Sequence, residues 1–435
     1  MRRTMRTRLS LLLMTATLFL AATMVFAAGS KEAAASMQAQ GPETIRLAWW
    51  GGDARHKATI DAADAFMKKY PQITVKTEYQ GFEGYYDKLI TQIAAGTGPD
   101  AFQFITAWFG DVRKSPEMFY DLRKLAGLDL SGWNQSTLDT MSLDGKLIGL
   151  PQGQNARILV YNKDLADKLG VDVQKYPTWK GFNAAVQAAR AKDPSIYGYS
   201  GIMDQYYYPL IGYLDQVSGN EFITKDVKFG FSEQQLVDGL TMFHDWFQNG
   251  TFEPLDKTVL LKNAWSDPAW LNGNVLFNET PVTQLGQQMK YPFKVGLTRY
   301  WVADGAKLTG NPVGPNMMFS VNSQTKHADA VAKLMNFFHS DPAGVKALEL
   351  QRGVPSNKAA YDILVNANMI DDMTKTAMKI VTDSDTGEYT FLDPNEIRDT
   401  METAIQNVGL KGGTTPEAAA KQFIAAGNRI LQNFK

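Results

Sequence analysis

The chain contains no cysteine. That excludes a disulfide framework, a thiol nucleophile and any cysteine-bound metal or cluster. Histidine is almost as scarce, at positions 56, 244, 327 and 339 only. No two of these stand at metal-ligand spacing, so a zinc centre finds no support. Strong charge of either sign is missing too, with 44 basic against 45 acidic residues. A nucleic-acid binder needs a basic face, which this balance does not supply. Long apolar runs are absent beyond the first 27 residues. There is no dinucleotide glycine fingerprint, no phosphate-loop lysine, no G-x-S-x-G and no H-E-x-x-H.

What is present begins with an export pattern. Arg2, Arg3, Arg6 and Arg8 precede an apolar stretch from Leu9 to Phe26, which ends Val25-Phe26-Ala27. A basic head, an apolar middle and a small-residue exit describe a secretory signal peptide over residues 1–27. A membrane anchor is the competing reading, but Ser10, Thr15, Thr17 and Thr23 interrupt the run. No cysteine follows it for lipid attachment. Losing the four arginines leaves 40 basic residues against 45 acidic, a mild net charge of −5. Residues 28–43 are small and polar without hydrophobic period, which reads as a flexible leader.

With 435 residues the chain is too long for one ordinary domain. The first half of the mature chain alternates strand and helix patterns. Thr44–Trp50 reads as a strand. Asp53 reads as the cap of a helix carrying Ile60, Ala63, Phe66 and Met67 on one face, stopped by Pro71. ITVKTEY (73–79) is a second strand, Tyr86–Ala94 a second helix and DAFQF (100–104) a third strand. This order implies a parallel sheet with covering helices, and such sheets bind ligands beyond the carboxyl ends of their strands. Trp49 and Trp50 stand at one such end, Thr106 and Trp108 at another. Further along, Thr178 after Pro177 reads as a helix cap.

The aromatic residues suggest what such an end would hold. Tryptophan, tyrosine and phenylalanine make up 11% of the chain, and Trp49, Trp50, Tyr85, Tyr86, Trp108 and Tyr206–Tyr208 fall near loops. Flat rings stack on the C–H face of a sugar, while amides such as Gln154, Asn155, Asn278 and Gln284 satisfy its hydroxyls. Core packing is the competing reading for each ring taken alone. Two other functions remain open. A secreted glycoside hydrolase would use paired carboxylates, for which Asp53, Asp100, Asp111, Glu279 and Asp393 are candidates. A ferric-iron carrier would use adjacent tyrosines such as Tyr85–Tyr86 or Tyr206–Tyr208.

Several stretches taken in order resemble the extracellular solute-binding proteins of carbohydrate ABC transporters, the maltose-binding-like family. They are KLITQIAAGTGPDAFQF (88–104), DGKLIGLPQGQNARILVYNKDLADKLG (144–170), PTWKGF (177–182), GNVLF (273–277), SVNSQTKHADAVAKLMNFF (320–338) and GVPSNK (353–358). WWGGDARH (49–56) is similar to a branch associated with plant-wall oligosaccharides. The resemblance implies an α/β fold of two lobes, with strand crossovers as a hinge near Gln154, Pro312–Pro315 and Pro355–Ala359. The lobes would comprise 44–154 with 313–357, and 155–312 with 358–435. It implies sugar contacts at Thr106 and Trp108, at Gln154 and Asn155, around Gln205–Tyr207, and in the loop with Asn278, Glu279 and Gln284. Trp49, Trp50 and Tyr86 join that set as rings.

The pattern also departs from the family. An Asp-Arg pair after the third strand is replaced by Ala107 and Trp108, and a glutamate by Asn155. That implies a sugar other than maltose and would suit an anionic one, with Arg55 as its carboxylate partner; Arg55 could equally be a solvated first-turn residue. The resemblance further implies a non-catalytic, monomeric, periplasmic carrier without cofactor or metal. Its partners would be a carbohydrate and the permease and ATPase of an importer, not nucleic acid.

Overall fold

The computed structural model describes residues 42–113, 115–261, 266–285, 291–311, 313–384 and 394–433. The expected signal peptide and nearly all of the expected leader lie outside them. Glu43, assigned to the leader, instead opens the first strand, Glu43–Trp50, and its amide donates to the Gln72 carbonyl at 2.9 Å.

The expected βαβαβ unit is present. Strands Ile73–Gln80, Glu43–Trp50 and Ala101–Ile105 run parallel in that spatial order. Met317–Val321 joins antiparallel beside Ala101–Ile105, and Leu150–Pro151 closes the far edge. Phe66 of the Asp53–Lys69 helix, Ile93 of Tyr85–Ala94 and Leu334 of Ala328–Ser340 pack into one core with this sheet. Asp53 is not the cap of its helix. Gly52 takes that position, and Asp53 sits in the first turn, where its charge complements the positive end of the helix.

A second sheet has the order Val295–Thr298, Arg157–Asn162, Val275–Pro281, Tyr197–Tyr199. The first three are antiparallel and the last pairs parallel. Its core is strongly aromatic: Phe182 and Trp301 stack with centroids 3.9 Å apart. Thr178 does cap the Trp179–Lys192 helix, its hydroxyl accepting from the Gly181 amide at 3.0 Å.

Three links join the two lobes, and they pair with one another. Gly153–Asn155 lies between Gly314–Pro315 and Val354–Pro355 in a small antiparallel sheet. These are the crossovers expected from the resemblance; Pro312 lies outside the described residues. The packing of two links is close enough to require glycine. A Cβ on Gly153 would stand 2.3 Å from the Arg352 carbonyl oxygen, and Gly353 itself has φ +104°. Arg352 secures the last link to the first sheet. Its Nε donates to Gln103 Oε1 at 2.7 Å and its Nη2 to Thr59 Oγ1 at 2.9 Å.

Candidate functional site

Side chains alternate along a strand, so Trp49 and Trp50 must face opposite sides of the first sheet. Trp49 is fully buried: it stacks on Tyr79 at 5.1 Å and donates from Nε1 to His56 Nδ1 at 3.1 Å. It is a core residue and not the ligand-facing ring expected. Trp50 turns the other way and packs against Trp108, centroids 5.1 Å apart, and against Tyr85 at the same separation.

Trp108 and Tyr86 reach a groove. Together with Phe82 they form one wall of a space of about 300 Å³ whose opposite wall is Pro394, Asn395 and Glu396. Phe82 lies nearly parallel to Trp108, with an interplanar angle of 19° at 5.8 Å, and is exposed at the rim. Gly84, at φ +69°, turns the chain from Phe82 into the helix that carries Tyr86. Thr106 is buried behind this wall.

The groove is acidic. Glu83, Asp87 and Asp111 line it on the first-lobe side and Glu396 on the other. Burial raises the Asp111 carboxyl above its ordinary range, the Glu396 charge raises it further, and a hydrogen bond from Tyr86 opposes both. Tyr86 is raised as well, first by burial and then by Asp111.

A charged cluster stands on the second lobe, where its sheet leaves the links. Arg157 is the first residue of its strand and pairs in register with Pro281, the last of the neighbouring one. Its Nη1 donates to both oxygens of Glu279 at 2.7 Å, and its Nη2 makes a short bond to Asp204. The Arg157 guanidinium lies 3.8 Å over the Tyr208 ring. Arg398 donates to the Tyr208 hydroxyl at 2.9 Å, and its Nη1 is 3.7 Å from Asp204 Oδ1. Burial disfavours the charge on Arg157, but Glu279 and Asp204 outweigh it, so its pKa stands well above the ordinary value.

The remaining expected contacts fall in several places. Tyr206 and Tyr207 are buried in the second-lobe core, because the Met203–Ser218 helix turns that face inward. Tyr208, one residue on, reaches the arginine cluster instead. Asn278 is buried, its Oδ1 accepting from Gln205 Nε2 at 3.1 Å, and Glu279 is committed to Arg157. Gln284 is half-buried in a short helical turn. Gln154 lies in the linking sheet beside Asn155, whose side chain is outside the described residues. Arg55 does not face a ligand. Its Nε donates to the Gln351 carbonyl at 3.0 Å and its Nη1 to the Trp50 carbonyl at 3.4 Å, which ties it to the hinge.

The acids and tyrosines behind the competing functions are largely engaged elsewhere. Asp100 accepts from the Arg46 amide and the Thr325 hydroxyl. Tyr85 donates to the Ala48 and Gln103 carbonyls. Asp393 is outside the described residues, among which no set of three histidine, aspartate or glutamate residues is grouped to hold a metal. Sequence reasoning missed Arg157, Asp204, Phe82 and Arg398. Arg157 alone left a signal, a lone charge opening the apolar strand RILVYN.

A family model described as bacterial extracellular solute-binding protein matches residues 52–345. The galactooligosaccharide-binding protein of Bacillus subtilis is 22% identical, covering 91% of this chain and 91% of its own. A periplasmic solute-binding protein from Pectobacterium atrosepticum superposes with TM-score 0.78 at 29% identity, over 90% of this chain and 99% of that one. A periplasmic oligogalacturonide-binding protein from Yersinia enterocolitica, solved with saturated digalacturonic acid, gives TM-score 0.75 at 28% identity over the same shares. The chain therefore belongs to the bacterial extracellular solute-binding protein family.

Proposed function

We propose that this protein captures a sugar, in oligosaccharide form, between its lobes and presents it to the permease of an ABC importer. The supporting observation is the groove itself: the Trp108 and Tyr86 rings on one lobe face Asn395 and Glu396 on the other, with Arg398 one turn further along the same helix. Rings suit the apolar face of a pyranose, and forked donors and acceptors suit its hydroxyls. The galactooligosaccharide- and oligogalacturonide-binding relatives support a saccharide. Lobe boundaries at 154/155, 312/313 and 357/358 are part of this reading, which the pairing of the three links supports, and closure about them would bring both walls onto the ligand. The mature chain acts as a monomer in the periplasm and performs no catalysis; the nucleotide chemistry belongs to the partner ATPase.

Calorimetric titration with neutral and acidic oligosaccharides tests this reading. Binding of one class at micromolar affinity or better, with the sugar recovered intact, supports it. Release of shortened sugars would support a glycoside hydrolase working through a pair of groove acids from opposite lobes, such as Asp111 and Glu396.

A further inference from the structure

The arginine cluster on the second lobe is built around a carboxylate, and the protein supplies that carboxylate itself. Arg157 and Arg398 approach Asp204 from two sides, and both guanidiniums lie over the Tyr208 ring, at 3.8 and 5.3 Å. Asp204 stands in the first turn of the Met203–Ser218 helix, a position that favours a negative charge. Its side chain retains 32% exposure, whereas that of Glu279, the other carboxylate on Arg157, has none. Arg398 lies one turn along the helix whose first residues, Asn395 and Glu396, line the groove. A part-exposed planar anion held between two guanidiniums, one of them on the helix that opens at the groove, is where a sugar acid would place its own carboxylate.

We infer that Asp204 fills the carboxylate seat of the cleft, so that the site selects uncharged saccharides and rejects uronates. This rests on the saccharide reading above. A tethered carboxylate competes at an effective concentration that a dissolved ligand does not reach. Its partners are then neutralised: Arg157 serves Asp204 and Glu279, and Arg398 serves Asp204 and Tyr208. The groove at the start of the Arg398 helix offers a uronate only like charge, from Glu83, Asp87, Asp111 and Glu396, and no lysine or arginine lines it among the described residues. Neutral hydroxyls meet no such penalty, because carboxylates accept from them. The relative solved with digalacturonic acid thus shares the fold but not, on this inference, the charge preference.

The test titrates the full mature protein with two panels. One holds neutral di- to tetrasaccharides of glucose, galactose, xylose and arabinose; the other holds di- and trigalacturonate. The wild type is expected to bind a neutral member and to hold both galacturonates at least about 100-fold more weakly, the scale of a like-charge mismatch. Asp204→Ala is expected to raise the ratio of galacturonate to neutral affinity about tenfold or more, as a charge-assisted pair becomes available to the ligand. Asp204→Asn, which keeps the shape, is expected to move the ratio the same way and covers the case in which the alanine variant does not fold. Wild-type affinity for a galacturonate equal to that for the best neutral sugar overturns the inference and leaves the saccharide reading standing. So does an unchanged ratio in a folded variant. Failure of every saccharide in both panels removes the saccharide reading and the inference with it.

Discussion

Trp108 lies over Trp50 with ring centroids 5.1 Å apart and planes inclined at 56°. Only the outer ring lines the groove; the inner one is its foundation. The two tryptophans therefore do different work, which separates in mutants. Trp50→Ala is expected to lower stability by about 3–5 kcal/mol, the cost of emptying a large aromatic site. Trp108→Ala is expected to weaken sugar binding about tenfold or more, since one lost stacking face is worth about 1 kcal/mol or somewhat more, and to cost stability as well because its ring is as buried as that of Trp50; only the binding loss is specific to Trp108. Calorimetric titration and urea denaturation on each variant check both values.

The Arg157–Glu279 pair is buried, and its partners are not interchangeable with neutral residues one at a time. Glu279→Ala leaves the guanidinium with Asp204 alone. The expected loss is about 3–5 kcal/mol in urea denaturation, typical of breaking a buried pair from one side. An exposed i,i+4 pair, Lys358–Asp362, gives the control: Asp362→Ala is expected to cost under about 1 kcal/mol.

Glu253 makes stability depend on pH. It is buried, and that burial, with Asp267 close by, pushes its carboxyl up to about 8. The unfolded chain releases this proton near pH 4.5 while the folded chain still holds it. Stability from this group is therefore full below the unfolded value, falls as pH rises, and levels off above about 8. The change is a few kcal/mol, with about 5 kcal/mol as its ceiling. Thermal melts from pH 5 to pH 8 are expected to show the decline, and Glu253→Gln to flatten it.

Gly153 tests the hinge. An added methyl would strike the Arg352–Gly353 backbone, which has no flexible side chain to give way. Gly153→Ala is expected to cost about 1–3 kcal/mol, as overpacking does. Small-angle scattering is expected to show a smaller sugar-induced contraction than in the wild type.

Much of the architecture was legible in local pattern. The alternation in ITVKTEY and the cap at Thr178 follow from short-range rules, whereas the crossovers near Gln154 and Pro355 came only with the resemblance. The site was less legible, because it depends on which face a residue takes. Trp49 and Trp50 are neighbours in sequence, yet one enters the core and the other supports the groove. Tyr206, Tyr207 and Tyr208 differ in the same way by 100° steps around a helix. Asp204 and Arg398 meet across 194 positions of chain, and composition carries no trace of that meeting.

The linking sheet has one more implication, for how this chain tolerates change. Three connections that bond to each other in register behave as a single jointed plate, so their lengths are locked together. One residue added to Gly153–Asn155 would reverse the faces of that strand against both neighbours and misplace Arg157 behind it. These three segments cannot change length one at a time.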